Sequence, residues 1–143
     1  MATKDEDSTK LSAQEKAALR ERTRELKAAK KGAEAEQAVL DAIAALSDDE
    51  RPMIEQVHAL IRKAAPELAP RTWYGMPAYA NKDGKVICFI KAASKFDVRY
   101  AELGFNEPAN LDDGNMWPTA YALVKVTKAE EKRIVELVKQ AAS

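Results

Sequence analysis

Trp73, Tyr74, Met76, Tyr79 and Trp117 are the side chains of this sequence best suited to holding a small ligand. Tyr and Trp combine a large apolar area with a polar tip that can orient a bound molecule, and Met adapts its shape to what it touches. Four of the five fall within Trp73-Tyr74-Gly75-Met76-Pro77-Ala78-Tyr79. Gly75 can take a φ closed to other residues, Pro77 fixes its own, and a proline disfavours helix in the residue before it. Gly75-Met76-Pro77 is therefore expected to bend between two extended pieces. Trp73 and Tyr79 would flank one rim of a cavity, Met76 would form its floor, and Trp117 would approach from the Asp112–Pro118 loop. The same residue types also build ordinary sheet-to-helix cores, so both readings stand.

A second constellation is acidic. Asp48, Asp49 and Glu55 could hold iron through hard oxygen ligands, with Asp48 and Glu55 seven residues apart on one helical face. Acids in a first helical turn equally serve the free N–H groups and the helix dipole. His58 is the single histidine and Cys88 the single cysteine, so the ligand spacing of a zinc site is missing. His58 falls at the border of an apolar helical face. Cys88 lies in an apolar run without a basic neighbour, which suits an inert thiol. No Gly-x-Ser-x-Gly, phosphate-binding glycine loop or His-Glu-x-x-His occurs, and the reading leans away from an enzyme.

The elements that must position these residues follow from periodicity and caps. The 143 residues fit one domain with an appendage, divided here as 1–34 and 35–143. Residues 1–11 read as a disordered tail. Ser12-x-x-Glu15 opens a helix of Ala, Leu, Arg, Glu and Lys, with Gly32 expected to end it. A second helix is predicted near Ala35 to Leu46. A third opens at Ser47-Asp48-Asp49-Glu50, buries Met53, Val57, Leu60, Ile61 and Ala64, and ends at Pro66. Beyond Pro70 the period changes to two. Asn81–Gly84 is a hairpin turn, Val86–Ile90 a central strand, and Lys95–Tyr100 an alternating strand with Phe96, Val98 and Tyr100 inward. A loop over 103–118 precedes a strand over Thr119–Val126. Thr127-x-x-Glu130 then starts a last helix with Ile134, Val135, Leu137, Val138 and Ala141 inward. The expected fold is α+β, an antiparallel sheet with helices packed on one face.

Charge is balanced at 23 basic and 23 acidic residues, yet unevenly placed. Segment 16–31 carries seven basic residues against Glu21 and Glu25; segment 34–55 carries seven acids against Arg51. Such polarity suits two segments that attract each other or that face different partners. It argues against a general affinity for nucleic acid. No apolar run approaches a membrane span, and MATKDEDSTK has no apolar segment of the secretory kind. With one cysteine, a reducing cytoplasm is the expected location.

With YGMPAY at 74–79, DGKVICFI at 83–90, KFDVRY at 95–100, Leu103–Phe105 and Ala109–Asp112 in view, residues 35–142 resemble the YdhG-like family of uncharacterised bacterial domains. YGMPAY is the specific part of the likeness. The resemblance implies a frataxin-like fold and, because one such protein is regarded as an intracellular iron chaperone, iron handling as a function. Three roles stand as expectations. One is a non-enzymatic binding module, in its iron version using Asp48, Asp49 and Glu55. The second is a small-molecule site or undiscovered enzyme using the aromatic cluster. The third is an adaptor acting on a protein partner through the charged N-terminal helix.

Overall fold

The computed structural model describes residues 12–143. The expected tail over 1–11 lies outside the described residues. The chain divides at Glu34/Ala35 into two units. Among the described residues, four helices and five strands follow in the order α1 (Ala13–Ala44), α2 (Arg51–Ala64), β1 (Ala69–Trp73), β2 (Met76–Ala80), β3 (Val86–Lys91), α3 (Ala93–Phe96), β4 (Ala101–Phe105), β5 (Ala120–Leu123) and α4 (Lys128–Ala142). The sheet is an antiparallel meander in the order β1-β2-β3-β4-β5. The architecture is α+β. Among the described residues no helix is long and apolar enough to cross a membrane.

The pleat sorts the strands into two faces. Tyr79 pairs with Cys88, Cys88 with Phe105, and Ile90 with Leu103, so these side chains share one face. That face packs into a single core with Val39, Ile43, Ile54, Val57, Ile61, Ile134, Val138 and Ala141 from the helices. Ala78, Phe89 and Gly104 pair across the other face, on which Trp73 and Met76 also lie. Met76 and Ala78 are buried there, apart from the helical core.

Local chemistry explains most of the elements. Ser12 Oγ accepts from the Glu15 N–H at 3.1 Å and starts α1. Thr127 N–H donates to the Glu130 carboxylate at 3.1 Å and starts α4. That bond, with the Thr127 hydroxyl, holds the Glu130 carboxyl below its ordinary pKa. In the turn after β2, Asn81 Oδ1 accepts from Asp83 and Lys85 while Gly84 takes a φ of +79°.

Four expectations need correction. Gly32 does not end a helix, because α1 runs through it to Ala44. One exposed glycine costs about 1 kcal/mol, too little to stop a run of strong helix formers. Ser47–Glu50 is not a capping box for α2: the turn there is closed by backbone bonds to Ser47 O, and Glu50 makes no side-chain cap to its own helix. Its carboxylate instead accepts from Ala93 N at 2.6 Å, Ser94 N at 3.1 Å and Ser94 Oγ at 2.7 Å. Those bonds occupy the first two free N–H groups of α3, and Asp97 leaves that helix with a φ of +52°. The predicted strand over Lys95–Tyr100 is therefore the end of α3 followed by an irregular turn, with Val98 exposed, and β4 begins at Ala101. β4 also takes the first three residues of the expected 103–118 loop. Lastly, Gly75-Met76-Pro77 is not a bend within extended chain. Tyr74 and Gly75, at φ +51° and +73°, form the two-residue turn of the β1–β2 hairpin, while Met76 and Pro77 already belong to β2.

Candidate functional site

The hairpin turn decides where the aromatic side chains go. With Trp73 paired to Met76, every second residue of β1 and β2 is fixed to one face. Trp73 lands on the face away from the helical core, together with Phe89 at 5.2 Å between ring centroids. Tyr74 stands edge-on to Trp73 at 4.9 Å and is exposed. Tyr79 lands on the opposite face and is fully buried. The single cavity expected between Trp73, Tyr79 and Trp117 does not form, because the pleat separates Trp73 from Tyr79.

What forms instead is a pair of adjoining surface grooves. One, of about 500 Å³, is lined by Arg71, Trp73, Gly84, Lys85, Val86, Asn106, Glu107 and Pro108. Arg71 precedes Trp73 by two in the same strand and so shares its face. Lys85 closes the turn into β3, and Asn106 is held by its N–H donating to Ile87 O at 3.0 Å. The other groove, of about 510 Å³, holds Trp117 with Phe105, Ala109, Leu111, Asp112 and Thr119, and meets the first at Asn106 and Glu107. Trp117 is half-buried and packs on the core. Met76 is buried below the surface and lines neither groove. Of the five aromatic-cluster residues, Trp73 and Trp117 thus reach adjoining concave surfaces, Tyr74 lies beside Trp73, and Tyr79 and Met76 are enclosed.

Behind the sheet sits a polar pair that the sequence reading treated as separate residues. His58 Nδ1 lies 2.6 Å from the Tyr79 hydroxyl. Burial raises the Tyr79 pKa, so the phenol keeps its proton and the two groups share a hydrogen bond as neutral partners. His58 is itself pushed below its usual value, first by desolvation and second by the Arg62 guanidinium, against a smaller opposing pull from Glu36. Arg62 Nη1 donates to Leu68 O at 2.8 Å and Arg62 pairs with Glu36 at 3.8 Å. Cys88, the cross-strand partner of Tyr79, is buried and its thiol is pushed up to about 12. That is the state of an unreactive thiol.

A pH dependence follows from His58. The unfolded chain takes a proton near pH 6.5, whereas the folded chain resists it. The stabilisation from neutral His58 is full above about pH 6.5 and is lost as pH falls through and below that value. Urea unfolding at pH 7.5 and 5.5 should show a loss at the lower pH that shrinks in His58→Gln. An equal loss in both proteins would remove His58 from this role.

Asp48 pairs with Arg51 at 2.5 Å, and Asp49 and Glu55 are exposed. Among the described residues, no group of three or more His, Cys, Asp or Glu side chains is placed to hold a metal ion. Arg71, Lys85, Asn106 and Glu107 were not singled out from the sequence. Only the two-residue spacing of Arg71 from Trp73 signalled a shared face. Compared with protein-family models, curated proteins and solved structures, the chain has no significant match in any of the three.

Proposed function

We propose that residues 35–143 form a non-enzymatic binding module whose ligand site is the Trp73 groove, and that the ligand is a planar anionic small molecule such as a mononucleotide. The observation that carries this reading is that the half-buried Trp73 lines one open groove together with Arg71 and Lys85. An aromatic face stacks on a planar ring for about 1–3 kcal/mol, while a guanidinium recognises phosphate or carboxylate through paired N–H donors. Asn106 adds an amide able to bond the edge of a ring, and Glu107 favours ligands carrying donors of their own. The YdhG-like resemblance belongs to the same proposal and supports a frataxin-like reading of the fold. Iron handling through Asp48, Asp49 and Glu55 rests on the resemblance and has no convergent donor set beside it, so the groove is preferred.

Tryptophan fluorescence tests this reading, since Trp117→Phe leaves Trp73 as the single indole. Adenosine or guanosine monophosphate should quench that emission to saturation. Arg71→Ala should weaken binding about tenfold or more, the scale of one charge-assisted hydrogen bond. Quenching that is absent at millimolar nucleotide, or unchanged in Arg71→Ala, would defeat the proposal.

A further inference from the structure

Every residue from Ser12 to Glu34 is exposed, and three leucines of α1 are left largely open to solvent: Leu19 at 49%, Leu26 at 61% and Leu40 at 42%. Scattered surface leucines are ordinary. These are not scattered. Leu26 follows Leu19 by seven residues and Leu40 follows Leu26 by fourteen, with Ala33 on the intermediate step. A repeat of seven keeps side chains on one slowly drifting stripe of a helix, the seam along which two helices coil.

The residue after each seam position is charged, and its sign changes midway: Arg20, Lys27, then Glu34, Asp41. A second copy laid parallel would set like charges beside like. Reversed, with Leu19 facing Leu40 and Leu26 facing Ala33, it sets Arg20 beside Asp41 and Lys27 beside Glu34, twice over by symmetry. One register therefore satisfies both the apolar steps and the charges. Asp41 also accepts from Gln37 Nε2 through Oδ1, which leaves its second oxygen for such a partner.

We propose that α1 is a self-association helix, pairing with α1 of a second copy of this chain as an antiparallel coiled coil. The intervening seam positions Thr23, Lys30 and Gln37 are polar, so the seam is thin and the dimer concentration-dependent. This surface is independent of the Trp73 groove, so failure of one leaves the other standing.

Sedimentation equilibrium of the full chain, from low to high micromolar concentration, tests the proposal. The wild type should pass from monomer to dimer. Leu26→Asp should stay monomeric with an unchanged thermal transition, because Leu26 is 61% exposed. Lys27→Glu should weaken the dimer about tenfold by setting two acids together on each side, and the exchange Lys27→Glu with Glu34→Lys should restore it. A wild type monomeric throughout, a dimer indifferent to Leu26→Asp, or an exchange that fails to restore affinity would each overturn this assignment.

Discussion

Tyr79→Ala should lower the unfolding free energy by about 3–5 kcal/mol, the scale for removing a large aromatic from a core that relaxes only in part. Tyr79 is fully buried against the helical core, beside Cys88 and Phe105 on its face of the sheet. Truncation opens a void there and also strips His58 Nδ1 of its partner. Tyr79→Phe separates the two effects. It keeps the ring and loses only the hydroxyl, so its cost should be about 1–3 kcal/mol, that of a polar group left without its partner. Urea midpoints at constant slope would measure both. A Tyr79→Phe loss equal to that of Tyr79→Ala would mean that the hydrogen bond, and not the packing, dominates this part of the core.

The second large effect is expected at Gly104. It pairs directly with Phe89, and a Cβ at this position would clash sterically with Phe89 Cζ. Alanine is ordinarily better than glycine in a strand by about 0.5–1 kcal/mol, so the sign here depends on the ring. Phe89 packs against Trp73, whose centroid lies 5.2 Å from its own, so displacing the ring disturbs that contact. Gly104→Ala should therefore destabilise by about 1–3 kcal/mol, the range for overpacking, and should shift the Trp73 emission. Adding Phe89→Leu should recover part of the loss, since the two positions share one contact. A Gly104→Ala protein as stable as the wild type, with unaltered emission, would show that the ring is not wedged between glycine and indole.

The residues read correctly from sequence are those whose partners are close in the chain. Thr127 and Glu130 cap each other three residues apart, and Asn81 bonds to Asp83 and Lys85 within one turn. The apolar period of α4 and the two-sided burial of β3 were equally local. Lys95–Tyr100 failed because the deciding group is Glu50, whose carboxylate reaches Ala93 from 43 residues away. Alternation of polar and apolar residues alone could not reveal that a distant acid was holding a helical turn. At the site, Gly75, Met76 and Pro77 drew attention one residue too late. Tyr74 is the other half of the turn, at φ +51°, and that one-residue difference decides which face Tyr79 occupies. Lys85 and Asn106 join Trp73 only through strand pairing and a loop, neither of which leaves a local mark.

The groove is tested most directly by the two indole N–H resonances of uniformly nitrogen-15-labelled protein, followed as adenosine monophosphate is added. If the Trp73 groove is the binding site, the Trp73 indole resonance should show the largest saturable shift, and Arg71→Ala should move that shift to higher ligand concentration. A Trp73 resonance that stays fixed while other resonances move, or a spectrum that does not change at all, would contradict it.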